Sequence, residues 1–102
     1  MYSYLLEELS KTIGARMLIR FEYKGDAYTV EPHLLGRNHL KQDCLLAWVV
    51  SGKMPSENIR GNWQTFQLNG ISDLKAMEQR FTKHRPGYDP YESSMSRIYY
   101  RI

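Results

Sequence analysis

Residues 17–36 read MLIRFEYKGDAYTVEPHLLG, and their period decides the fold. Ile19, Phe21 and Tyr23 alternate with Leu18, Arg20 and Glu22, the two-residue repeat of a strand with one face buried. Lys24-Gly25-Asp26 interrupts the pattern, and Gly25-Asp26 suits a two-residue hairpin loop. Alternation resumes over Ala27–His33, with Tyr28 and Val30 on one face and Thr29, Glu31 and His33 on the other. Two such runs around a tight turn spell an antiparallel hairpin. Pro32 has no amide donor, so the second strand is expected to end there or to lie at an edge. Gly36 is then expected to bend the chain and aim Arg37 back over the fold.

The flanking segments extend this β pattern and add one helix. Upstream, Tyr2, Leu5, Leu6, Leu9 and Ile13 fall on one helical face. Ser3 suits the N-cap, Glu7 and Glu8 suit the positive end, and Gly14 suits the stop. This predicts a helix within 1–16 that docks on the core, or alternatively on a second copy or a partner. Downstream, Asp43–Val50 is apolar on both faces and reads as a central strand. Ser51–Asn62 carries Gly52, Pro55 and Gly61 and reads as a surface loop. Trp63–Leu68 alternates again, whereas Ile71–Phe81 fits both a helical and a strand period. Thr82–Ser94, with Pro86, Gly87 and Pro90, reads as an arm without regular structure. Met95–Ile102 closes the chain as a strand. The expected class is mainly β with an N-terminal α-helix, built as a small barrel or strongly bent sheet.

Composition excludes several classes. A chain of 102 residues makes one domain and can bury roughly two-thirds of its unfolded surface without a staple. It is 42% hydrophobic and 25% charged, a globular balance. The longest apolar run, Cys44 to Val50, is far short of the ~20 residues that span a bilayer, so no membrane role is expected. The first residues lack the basic and apolar regions of a secretory signal. A lone cysteine, Cys44, forms no internal disulfide, which fits a cytoplasmic location. The net charge of +3 permits an anionic partner without requiring one.

The runs IRFEYKGDAYTVEPHLLG, CLLAWVV and QTFQLNGI, in that order and spacing, resemble the WYL domain. The resemblance covers roughly Met17 to Phe81. It implies a barrel of SH3-like or Sm-like type at 17–81, within a single domain over 1–102 to which the helix at 1–16 and the arm with a final strand at 82–102 are additions. It also implies a regulatory, ligand-sensing role beside other proteins, with nucleic acid among the ligands. The name-giving Trp-Tyr-Leu falls on Asp43-Cys44-Leu45, so only Leu45 survives. The basic stretch of the family falls on Gln64-Thr65-Phe66-Gln67-Leu68-Asn69-Gly70-Ile71, and its arginines are missing. Glutamine keeps hydrogen bonding but no charge. The sixteen residues before the first strand leave no room for a helix-turn-helix, so sequence-specific DNA reading by this chain alone is not expected.

The candidate chemistry is therefore binding, not catalysis. His33 and His39 are six apart across Pro and Gly, which is no zinc spacing, and no metal or cofactor is expected. No acid–base pair is expected either, His33 with Glu31 being discounted. The ligand-binding candidates are His33, Arg37, Trp48, Gln64 and Gln67. His33 is expected at a pocket rim, partly solvated and titrating near its ordinary value, with Arg37 supplying the lost cation. Trp48 is the better candidate for a pocket wall, although both Trp48 and Trp63 suit the core. Arg97, Tyr99 and Arg101 on one face of the last strand suit single-stranded nucleic acid, through phosphate contact and base stacking. A charged edge strand explains them equally well. The competing reading is an interaction module, a homo-oligomer or a partner of a regulatory protein, without a small ligand.

Overall fold

The computed structural model describes residues 3–52 and 62–102. The hairpin forms as β1 (Met17–Tyr23) and β2 (Asp26–Asn38), with Tyr23 paired to Asp26. Its two-residue loop is therefore Lys24-Gly25, one position earlier than Gly25-Asp26. Both loop residues have positive φ, 51° and 85°, which matches the right-handed strand twist.

The hairpin is the centre of a larger antiparallel sheet. The other strands are β3 (Asp43–Ser51), β4 (Trp63–Gln67), β5 (Ile71–Arg80) and β6 (Met95–Arg101), and a 3-10 turn at Leu68–Gly70 joins β4 to β5. Their order is β4-β3-β2-β1-β5, with β6 off this path against β2. The protein is thus mainly β with one N-terminal helix, α1 (Ser3–Ala15). Among the described residues β4 and β5 do not pair, so the bent sheet stays open between them. Of Ile71–Phe81, ambiguous by period, all but Phe81 is strand, because it pairs along the β1 edge. The loop read over Ser51–Asn62 falls mostly on 53–61, outside the described residues.

The α1 helix buries Leu9 and Ile13 against the sheet, with Leu5 and Leu6 beside them. Tyr2 and the side chain of Ser3, read as the cap, lie outside the described residues. The stop comes from Arg16, at φ 55°, whose amide donates to the Ile13 carbonyl at 3.1 Å. Gly14 sits inside the helix instead, where a Cβ would meet the Tyr100 hydroxyl at 2.7 Å. Phe21, Tyr23, Tyr28 and Phe66 fill the core, with Phe66 edge-on to Phe21 at 4.9 Å and to Tyr28 at 5.1 Å. Burying each such ring contributes about 1.5–3 kcal/mol. A second cluster on the opposite face of the sheet gathers Leu34, Cys44, Leu46, Trp63 and Met95.

Strand β2 does not end at Pro32 but runs to Asn38. One edge of β2 is paired to β3, whereas the other changes partner midway. There β1 reaches only Val30 and β6 begins at Leu34. Glu31, Pro32 and His33 lie in the seam between them, and the β3 register slips between Pro32 and Leu34. A residue without an amide donor is tolerated where a strand partner is missing. Gly36 serves close approach and not a bend, because a Cβ there would lie 2.4 Å from the Arg97 carbonyl of β6.

Candidate functional site

Two polar concavities flank β2, one at the seam and one at the turn beyond Asn38. At the seam, residues 81–88 form a strap over the gap. Phe81 stacks on the His33 ring at 5.0 Å, Trp63 meets it edge-on at 4.7 Å, and Tyr88 leans on it at 5.2 Å. The Arg85 amide donates to His33 Nε2 at 3.2 Å, which leaves the Nδ1–H to donate to the Glu31 carbonyl at 2.8 Å. The Arg85 guanidinium bonds both Glu31 oxygens at 2.7 Å and lies 5.4 Å over the Trp48 ring. Hydrogen bonding to Glu31 holds the Arg85 guanidinium above its ordinary pKa. Trp63 Nε1 donates to the Pro86 carbonyl at 2.8 Å, and the Tyr88 hydroxyl to the Ile102 carbonyl at 3.1 Å. The arm read as irregular has no helix or strand, yet it is pinned along its length, with Arg16 on the Thr82 carbonyl and His39 on the Ser93 carbonyl besides.

His33 is therefore not a solvated rim residue. It is fully buried, and desolvation pushes its pKa below the ordinary 6.5, outweighing the raising effect of the Glu31 carbonyl and carboxylate. The reason is the strap, whose aromatic residues cover the face that alternation had left open. Glu31 and His33, two apart on a strand, do share that face, but both are engaged by Arg85.

The second concavity has a different origin. The β2–β3 turn presents Arg37, Lys41, Gln42 and Asp43, and the β4–β5 turn presents Gln67 and Asn69; together they line a cavity of about 260 Å³. The turn is built by Asn38, whose Oδ1 accepts from the Leu40 and Gln42 amides at 3.0 and 2.9 Å. Gln67 Nε2 donates to Gln42 Oε1 at 3.3 Å, tying the two turns together. Arg37 Nε approaches Asp43 Oδ1 at 3.5 Å, and the Tyr99 hydroxyl donates to the same oxygen at 2.7 Å. Tyr99 and Asp43 together push the Arg37 guanidinium above its ordinary pKa, and burial pushes the Tyr99 hydroxyl up. Arg97 lies 5.6 Å over the Tyr99 ring. The result is a hollow with two cations, three side-chain amides and the Asp43 carboxylate, which offsets Arg37 and leaves Lys41 as the excess charge. The cations and amides are groups that recognise phosphate and the edges of bases.

Of the residues singled out in the sequence, Arg37 and Gln67 meet in this hollow, and Arg97 and Tyr99 stand beside it. Gln64 is half-buried opposite Ala47 on β4 and is not part of its lining. Trp48 is half-buried at the seam, against Trp63 and Arg85. Arg101 stands apart from Arg97 and Tyr99, with its guanidinium 5.4 Å over Tyr91. The register between β6 and β2 slips at Leu35/Gly36, which breaks the common face. Sequence reasoning missed Lys41, Gln42 and Asn69, turn residues whose hydrophilicity is unremarkable until two turns converge. Among the described residues no group of three or more His, Cys, Asp or Glu is placed to hold a metal. No described helix is long and apolar enough to cross a membrane. Comparison with protein-family models, curated proteins and solved structures returns no match.

Proposed function

We propose that this chain is a non-enzymatic, regulatory ligand-sensing domain of WYL-like character. Its ligand is a nucleotide-like anion or a short single-stranded nucleic acid, held in the cavity between the β2–β3 and β4–β5 turns. The observation that carries this reading is the convergence of Arg37 and Lys41 with Gln42, Gln67 and Asn69 around one 260 Å³ hollow. Cations there hold phosphate, amides match base edges, and Tyr99 offers a ring to one side. Affinity is modest because the cations are few, and salt weakens it further because they are exposed. Catalysis has little to work with at the seam, since His33 has both ring nitrogens engaged and Glu31 is paired to Arg85. A cytoplasmic location belongs to the same reading and rests on the lone reduced cysteine.

The test is fluorescence anisotropy with labelled short oligonucleotides, competed by mononucleotides and unrelated anions. Arg37→Ala weakens binding, and Gln67→Arg strengthens it, whereas Gln64→Arg leaves it unchanged. A folded Gln67→Arg variant with no gain for any anionic ligand refutes this placement of the pocket.

One observation favours the interaction module as a second reading. β5 is paired on only one edge among the described residues over its ten positions. Light scattering across a wide concentration range decides it: a strict monomer removes self-association through that edge.

A further inference from the structure

The seam holds a second hollow, of about 470 Å³, that shares no residue with the turn cavity. Leu18 and the buried Phe81 line its apolar side, and Glu31 contributes its one carboxylate. That carboxylate is already bound at both oxygens by Arg85. Around it stand Arg80 and Lys83, exposed and without an ion-pair partner among the described residues. His84 lines the same wall, and Arg16, beyond the lining at the end of α1, donates from Nη1 to the Thr82 carbonyl at 3.4 Å. Three permanent cations thus line the hollow: Arg85 offsets the Glu31 charge, and Arg80 and Lys83 remain in excess. The Glu31 bond also fixes Arg85, so one cation is oriented before any ligand arrives.

We propose that this seam hollow is a binding site for contiguous phosphate groups, gripped by Arg80, Lys83 and Arg85 and steered by Arg16. Its volume lies within the range of small-molecule sites, and its lining suits charge and not a base. Among the described lining residues no two exposed aromatic rings stack, which argues for a phosphate chain over a nucleobase. Free oligophosphate and the backbone of a nucleic acid share that chemistry. The site lies largely on residues 80–86, where the β5 end and the strap converge, apart from the cavity proposed above.

Isothermal titration of the full chain with sodium tripolyphosphate, and separately with a short oligothymidylate, tests the proposal. The variants are Arg80→Ala/Lys83→Ala, whose exposed side chains make no hydrogen bond or ion pair among the described residues, and Arg37→Ala from the turn cavity. Circular dichroism and melting confirm that each is folded. Tripolyphosphate is expected to bind, to weaken about tenfold or more in the double variant, and to be unaffected by Arg37→Ala. If only the oligothymidylate binds, and the double variant weakens it, the phosphates belong to a nucleic-acid backbone. No binding of either probe, or binding that the double variant leaves intact, overturns the site. Loss with Arg37→Ala alone overturns it too, and leaves the turn cavity standing.

Discussion

Removing the Arg85 side chain tests the strap most sharply. Arg85→Ala keeps the backbone amide on His33 Nε2 but strands the Glu31 carboxylate, whose side chain is only 5% exposed. Breaking a fully buried ion pair by deleting one partner costs about 3–5 kcal/mol. Arg85 is itself 42% exposed, so water screens part of that interaction. About 2–3 kcal/mol at neutral pH follows, which for a domain of this size lowers Tm by roughly 10–20 °C. The assay is urea unfolding followed by tryptophan fluorescence, since Trp48 and Trp63 both lie at the seam. Glu31→Gln and the double variant complete the cycle, and the coupling should be about 1.5–3 kcal/mol. In the Glu31→Gln background Arg85→Ala should cost little. An Arg85→Ala protein within about 0.5 kcal/mol of the parent would refute the reasoning.

Other perturbations follow from the same geometry. Burial lowers the His33 pKa, so below the ordinary 6.5 the unfolded chain binds the proton first; stability is full above that pH and falls as acid is added. Urea midpoints across pH 5–8 check this, and His33→Gln should flatten the part due to His33. Gly36→Ala drives a Cβ to 2.4 Å from the Arg97 carbonyl and should cost about 1–3 kcal/mol, seen as a lower Tm. Gly25→Ala meets open space but holds φ 85°, so a loss of about 1 kcal/mol is expected from backbone strain alone. Burial pushes the Cys44 thiol up, so alkylation should be slow in the native protein and fast in denaturant, as mass spectrometry would show.

The periods of β1 and the first half of β2 were legible because each has one clear burial demand, which β5 lacks. Ile19, Phe21, Tyr23, Tyr28 and Val30 announce the hairpin, and each is buried. The run from Cys44 to Val49 announces a strand with clusters on both faces, which β3 is. Pro32 reads as a strand end or an edge, and only the edge holds: β2 is paired to β3 there and vacated on its other side, but only locally. That depends on where β1 leaves and β6 arrives, a long-range fact with no local mark. His33 misled for the same reason, since its cover comes from Phe81 and Tyr88, some fifty residues on. Arg37 and Gln67 were legible as polar residues in marked segments. Their convergence with Lys41, Gln42 and Asn69 depends on the two turns meeting.

Amide chemical-shift mapping of the labelled chain during titration with a mononucleotide tests the central claim most directly. Shifts should cluster at Arg37–Asp43 and Gln67–Asn69, with Tyr99 beside them, and should vanish in Arg37→Ala. A ligand that binds without moving those residues, or a titration to millimolar excess that moves nothing, would contradict the account.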